Sequence, residues 1–95
     1  MGWLFADKKK TISERKWRED IRPAFYAKGL EKREIDHIEA LFWSDMNEEG
    51  VNEKGIDREE FDRKMEWLSE SRNRENYRIS ERDIEIINEV LGTYL

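Results

Sequence analysis

One local pattern occurs four times in this chain and largely determines what the chain can fold into. Each copy consists of an apolar residue, a candidate helix N-cap, three further residues and a second apolar residue. This is the N′ to N4 spacing of a hydrophobic staple, in which the residue before the cap packs on the first turn of the following helix. The sequence therefore predicts four helix starts, with the staple pairs Ile12 and Trp17, Leu30 and Ile35, Ile56 and Phe61, and Ile79 and Ile84.

The four candidate caps differ in quality. Ser13 is a favourable cap residue, whereas Glu31 is a poor one even though Glu34 follows three residues later. In a capping box, a carboxylate three residues after the cap accepts a hydrogen bond from the cap backbone. Two starts have this arrangement and are the strongest of the four: Asp57 with Glu60, and Ser80 with Asp83.

Apolar residues keep helical spacing behind each start, so the predicted fold class is all-α. The last helix is expected to be the central element, because Ile86 and Val90 widen its apolar stripe. Within the first helix, Pro23 removes a backbone donor, which predicts a kink or break near Arg22. Gly29 suits a left-handed position that ends this helix.

These elements predict a compact four-helix domain made of two helical hairpins. Its favoured arrangement is an EF-hand-like layout without a calcium site, and a simple up-down bundle is the alternative. Residues 44–55 are expected to form a long acidic loop and residues 71–78 a short polar one. Residues 11–95 are predicted to be a single helical domain, and residues 1–10, which lack a cap, a flexible amino-terminal arm.

Helix, acidic loop and helix is the order found in a calcium-binding hand, so the ligand spacing was compared with that of an EF-hand. Such a loop needs Gly at position 6 and a bidentate Glu at position 12. Counting forward from Asp45 places Gly50 at position 6 but Ile56 at position 12. Counting back from Glu60 places Lys54 at position 6. The chain thus resembles an EF-hand pair in helix order and in half of one loop, and no metal ligands are assigned.

Composition argues against several other kinds of site. The chain has no cysteine, which rules out disulfides, thiolate zinc sites and cysteine nucleophiles, and His37 is its only histidine. Most carboxylates fall on polar helix faces, many of them four residues from a Lys or Arg, so we expect no enzyme and no cofactor. No apolar run reaches the roughly 20 residues that cross a bilayer. The expectation is a cytoplasmic protein that is not an integral membrane protein.

Charge is unevenly distributed along the chain. Residues 1–33 hold ten Lys/Arg and five Asp/Glu (+5), residues 34–71 four and thirteen (−9), and residues 72–95 four and five (−1). The basic beginning and the acidic middle are therefore expected to favour different partners, or each other. A nucleic-acid-associated role is one alternative, because cations cluster near two tryptophans, but acidic residues interrupt the cluster. The residues concerned are Lys8, Lys9, Lys10, Arg15, Lys16, Arg18, Arg22, Trp3 and Trp17.

Aromatic residues outside the core stripes favour a different role, that of a non-catalytic protein-interaction or regulatory module. Tryptophan is enriched at the energetic centres of protein interfaces, and Trp43 and Trp67 lie well away from the apolar stripes of their helices. An apolar cluster in residues 1–10 could also dock on a partner or attach to a membrane surface. The predicted partner-binding residues are Trp3, Leu4, Phe5, Trp43, Trp67, Glu48, Glu49 and Glu53. The partner itself, the process and the oligomeric state are not specified by the sequence.

Overall fold

The all-α fold class is confirmed by a computed structural model, which describes residues 10–46 and 55–95. The first helix, α1, has three consecutive parts: Glu14–Lys16 and Arg22–Ala27 are α-helical, and Trp17–Ile21 between them is π-helical. Four further helices follow within the described residues: α2 (Lys32–Met46), α3 (Arg58–Trp67), α4 (Ser71–Asn76) and α5 (Glu81–Tyr94).

The predicted helix starts are formed as the capping pattern indicates. The hydroxyl of Ser13 accepts a hydrogen bond from the backbone N–H of Lys16 at 3.1 Å. Both predicted capping boxes have their two reciprocal hydrogen bonds, at the start of α3 and of α5. At the weakest start, the Glu34 carboxylate accepts from the backbone N–H of Glu31 at 2.9 Å, which gives half of a capping box.

The staple residues form much of the hydrophobic core. All are buried except Ile84, which is partly buried against the core. Helix α5 places four apolar side chains in the core. Trp17 lies at the centre of an aromatic group, with its ring centroid 5.8 Å from Phe25 and 5.9 Å from Phe42. The buried α5 residues of this core are Ile86, Ile87, Val90 and Leu91.

Pro23 lies within α1 without ending it, so the predicted kink or break near Arg22 takes another form. A π-helical turn precedes the proline, and the Arg22 N–H donates to the carbonyl of Trp17, five residues back. This shift in bonding occurs where the proline lacks the donor that an α-helix would use. Residues four apart on an α-helix are rotated by about 40°. A π turn has more residues than an α turn, so side chains four residues apart are offset less around the helix axis. Trp17, Ile21 and Phe25 therefore lie on one buried face.

Gly29 ends α1 as predicted. Its φ is +92°, in the left-handed region that favours glycine. The Gly29 N–H donates to the carbonyl of Tyr26 and the Leu30 N–H to that of Phe25, which is the Schellman arrangement. Leu30 is thereby turned into the core, where it forms the staple of α2.

Residues 71–78 were expected to form a polar loop, but most of this segment is helical. Helix α4 contains no buried residue and therefore has no apolar stripe for periodicity to detect. Its side chains instead donate hydrogen bonds to carbonyl groups at the end of α3 and just beyond it. Arg74 Nη1 donates to the carbonyls of Leu68 at 2.7 Å and Ser69 at 3.0 Å, and Asn73 Nδ2 donates to that of Trp67 at 2.7 Å.

Two staple residues from distant parts of the chain also meet directly. Ile12 and Ile56 form an isolated antiparallel β-bridge, with reciprocal backbone hydrogen bonds of 2.8 and 2.9 Å. Each precedes a helix N-cap, so the bridge joins the starts of α1 and α3. Gly55 is buried beside it with φ +154°, and a Cβ on Gly55 would lie 2.9 Å from the carbonyl oxygen of Ile12.

Two predictions fall partly outside the described residues. The EF-hand-like layout depends on the loop between α2 and α3, and residues 47–54 of that loop are not among those described. The flexible arm was assigned to residues 1–10, of which the structure describes only Lys10, an exposed residue. Both therefore stay predictions.

Candidate functional site

Four large aromatic side chains are exposed in the described part of the chain. Trp43 is 48% exposed and Trp67 40%, as their positions outside the apolar stripes predicted. Tyr26 and Tyr77 are also exposed, at 47% and 38%, and neither is among the residues predicted from the sequence to bind a partner. The two tryptophans lie at different cavities, so they do not form one surface.

Trp67 and Tyr77 form the most distinctive surface feature. Their rings are in edge-to-face contact, with centroids 5.8 Å apart and planes at 72°. They border a cavity of about 280 Å³ whose other apolar wall is Leu41 of α2. We call this cavity, bordered by Leu41, Trp67 and Tyr77, the aromatic groove.

The aromatic groove depends on the short helix α4. Tyr77 is the C-cap residue of α4, and its N–H donates to the carbonyl of Arg74. The Arg74 guanidinium in turn donates to the carbonyls of Leu68 and Ser69 at the end of α3. These hydrogen bonds hold α4 next to Trp67. The amino-acid sequence does not indicate Tyr77 as a surface residue of a site, because the helix that it ends has no apolar periodicity.

Charged side chains of both signs form the remaining walls of the aromatic groove. Asp45 at the end of α2 and Lys64 of α3 are partly buried there, with Lys64 Nζ 3.6 Å from Asp45 Oδ2. Glu60 and Arg63 complete the lining. The groove thus combines apolar aromatic surface with charges that orient a ligand, which is the general composition of a binding site.

Trp43 lies at a second cavity, of about 340 Å³, which also borders Trp17. An ion-pair network forms part of its wall, with Arg22 contacting Asp36 and Glu39 at 3.1 Å each. Burial alone would lower the pKa of Arg22, but hydrogen bonds to these two carboxylates outweigh it and raise that pKa. A hydrogen bond from Lys32 lowers the pKa of Asp36. These charges neutralise one another and hold α1 against α2.

No family model, curated protein or solved structure matches this chain. The function is therefore inferred from the site itself. Among residues 10–46 and 55–95, no group of three or more His, Cys, Asp or Glu side chains is placed to hold a metal ion. No helix in this part of the chain is long and apolar enough to span a membrane.

The other six predicted partner-binding residues lie outside the part of the chain that the structure describes. They are Trp3, Leu4 and Phe5 and the three loop glutamates, Glu48, Glu49 and Glu53. The structure does bring together Asp45 and Glu60, which were the two reference points for the calcium-loop comparison. Lys64 lies beside Asp45, so an ammonium group already balances that carboxylate.

We expect no calcium site tighter than about 1 mM, the weak end of known calcium modules. Neither loop register supplies a full ligand set, and the Lys64 ammonium repels a cation from Asp45. The measurement is a titration followed by amide spectra, with magnesium at equal ionic strength as the control for charge screening. Saturable shifts with calcium alone, concentrated between residues 45 and 60, would show that the prediction is wrong.

Proposed function

We propose that this chain is a non-catalytic helical module, cytoplasmic in location, that binds another protein through the aromatic groove. The observation that carries the proposal is the exposed pair of Trp67 and Tyr77 at the mouth of a cavity. A fully covered aromatic side chain buries about 150 to 250 Å². Covering the exposed 40% of Trp67 then removes roughly 60 to 100 Å² from water. At about 25 cal/mol per Å² this contributes about 2 kcal/mol, the scale of an interface hot spot.

Charge supports a partner segment that combines an apolar anchor with basic residues. The aromatic groove lies between α2 and α3, and residues 34–71, which include all of α3 and all but the first two residues of α2, carry a net charge of −9. An excess of negative charge attracts basic segments and raises their rate of association. The apolar anchor would occupy the space between Leu41 and the two aromatic rings.

The nucleic-acid alternative receives less support from the described residues. Trp17, one of the two rings considered for base stacking, is 1% exposed and belongs to the core. The basic side chains of α1 are largely paired with carboxylates, which reduces their attraction for phosphate. These pairs are Arg15 with Glu19, Arg18 with Glu14, and Arg22 with Asp36 and Glu39. Attachment to a membrane surface through residues 1–10 stays an alternative without structural support, since residues 1–9 are not described.

The proposal predicts that Trp67→Ala weakens partner binding by about 30-fold, equivalent to the roughly 2 kcal/mol of the ring. The partner is first identified by capture on the full chain from the native host and mass spectrometry. Its affinity for each variant is then measured by calorimetry with purified protein. Trp43→Ala is the matched control, because it removes a similarly exposed ring at the second cavity.

The two variants separate the possible outcomes. Loss of affinity with Trp67→Ala and near-normal affinity with Trp43→Ala supports the aromatic groove. The reverse pattern, or no effect of either substitution while neutralising Lys8, Lys9 and Lys10 abolishes capture, contradicts the proposal. Circular dichroism of both variants checks that they remain folded.

A further inference from the structure

Helix α4 is attached to the rest of the domain by few groups. From residue 71 to residue 78, Asn73 and Arg74 are partly buried and the other residues are exposed. These two side chains donate the hydrogen bonds that join α4 to carbonyl groups at the end of α3 and just beyond it. A helix of 6 residues is far too short to be stable in water on its own. The position of α4 therefore depends on a small number of polar contacts.

The residue that follows the C-cap of α4 has an unfavourable conformation. Arg78 has φ +56°, in the left-handed region that glycine usually occupies at the end of a helix. Its N–H donates to the carbonyl of Glu75 at 3.1 Å, and the N–H of Ile79 donates to that of Arg74 at 2.9 Å. This is a Schellman arrangement, formed here by a residue whose Cβ crowds the following carbonyl oxygen. The conformation of Arg78 therefore disfavours the position of α4 that the Arg74 side chain stabilises.

The chain on both sides of α4 is anchored in the core. Leu68, the C-cap residue of α3, is buried, and so is Ile79, which precedes the N-cap of α5. Helix α4 can therefore separate from α3 without removing either residue from the core. Partial opening of this kind, in a segment with few buried contacts, costs less free energy than unfolding of the whole domain.

Separation of α4 changes the aromatic groove. Tyr77 is the C-cap residue of α4, whereas Trp67 belongs to α3 and Leu41 to α2. The edge-to-face contact of Trp67 with Tyr77, with centroids 5.8 Å apart, is lost when Tyr77 moves away. The groove then keeps one aromatic ring instead of two. Arg74 does not border the groove, so it acts on the groove only through the position of α4.

We propose that α4 is a movable wall of the aromatic groove, which is complete when α4 is closed on α3 and incomplete when α4 is open. The Arg74 guanidinium stabilises the closed form, and the left-handed Arg78 favours the open one. The inference rests on the proposed function in one respect, since a partner that contacts both Trp67 and Tyr77 binds only the closed form. Such a partner shifts the population towards the closed form, and the open fraction lowers its apparent affinity.

Native-state amide hydrogen exchange of the full chain tests this opening without a partner. The informative amides are those of Tyr77 and Ile79, because both donate to the Arg74 carbonyl. The amide of Ile87, in the middle of α5, reports unfolding of the whole domain. After correction for intrinsic rates, the first two should exchange at least about 10-fold faster than Ile87, with little dependence on urea, because partial opening exposes little surface. Equal protection and equal urea dependence at all three amides would overturn the proposal.

Two substitutions should change this exchange in opposite directions. Arg74→Met keeps an unbranched side chain but removes the charged donor, so the amides of Tyr77 and Ile79 should exchange about 10- to 100-fold faster. Arg74→Lys should restore part of the protection, because an ammonium group can donate to the same carbonyls. Arg78→Gly should slow the exchange of Tyr77 by about 2- to 5-fold, because glycine adopts a positive φ without strain.

Arg72→Met is the matched control, because Arg72 is an exposed arginine on the same helix. It should leave the protection of Tyr77 and Ile79 unchanged. Unchanged protection in Arg74→Met would contradict the proposal, and so would faster exchange in Arg78→Gly than in the unsubstituted chain.

The NMR signal of the Trp67 indole N–H reports the groove itself. Opening moves the Tyr77 ring away from the indole, and rapid exchange between two forms averages their chemical shifts. The shifts should therefore lie on one line, in the order Arg78→Gly, unsubstituted chain, Arg74→Lys and Arg74→Met. Shifts that do not follow this order would overturn the proposal. Because no partner is added, failure here leaves the capture experiment with Trp67→Ala as an independent test of the proposed function.

Discussion

Replacing Ile87 by alanine is expected to lower the free energy of unfolding by about 2 to 5 kcal/mol. Ile87 is 0% exposed in α5, so the substitution removes apolar contacts and leaves a cavity in the core. Small domains have a total stability of only about 5 to 15 kcal/mol, so a loss of this size is a large fraction of the whole. Urea denaturation followed by circular dichroism measures it.

The neighbouring position supplies the control for Ile87. Asn88 is exposed on the same helix, and Asn88→Ala should change stability by no more than about 0.5 kcal/mol. If Ile87→Ala caused an equally small change, the packing of α5 described above would be wrong.

Replacing Gly55 by alanine should also destabilise the domain, by about 2 to 4 kcal/mol. The added Cβ would lie 2.9 Å from the Ile12 carbonyl oxygen, and φ is +154°, where side chains other than glycine are strained. Relief of the close contact moves the backbone of Gly55 away from Ile12 and so weakens the Ile12–Ile56 bridge. Denaturant unfolding gives the loss, and the amide shifts of Ile12 and Ile56 report the bridge.

Gly92 allows a control of opposite sign. It lies within α5, and a Cβ there would meet nothing within 4 Å. Gly92→Ala should therefore stabilise the domain by up to about 1 kcal/mol through helix propensity. Equal effects at Gly55 and Gly92 would show that the close approach to Ile12 is not what makes Gly55 sensitive.

Most of the fold could be predicted because its signals are local. Ile56 and Phe61 lie five residues apart, and both the cap between them and the burial of their side chains follow from that spacing. The left-handed Gly29 is local in the same sense. Two features escaped prediction for different reasons: the Ile12–Ile56 bridge joins distant residues, and α4 is held by polar hydrogen bonds from Arg74 to nearby carbonyls, which leave no apolar pattern in the sequence.

The candidate site was predictable only in part. Trp67 was predicted to bind a partner because it lies outside the apolar stripe of its helix, and its side chain is exposed. Its partner Tyr77 lies in a segment without apolar periodicity, so no sequence signal placed the two rings together. Trp43 was selected on the same grounds as Trp67, yet it lies at a different cavity. The spacing of apolar residues indicates which side chains are exposed, but not which exposed side chains contact one another.

The Ile12–Ile56 bridge also has a consequence for the order of events in folding. Closing a flexible loop of the 43 residues that separate the two isoleucines costs about 3 kcal/mol in chain entropy, on a (3/2)RT ln n scale. Its two hydrogen bonds contribute only about 1 to 3 kcal/mol together. The bridge therefore cannot form before α1, α2 and α3 have begun to pack and the isoleucines have entered the core. We therefore expect the bridge to form together with, or after, the burial of Ile12 and Ile56 in the core.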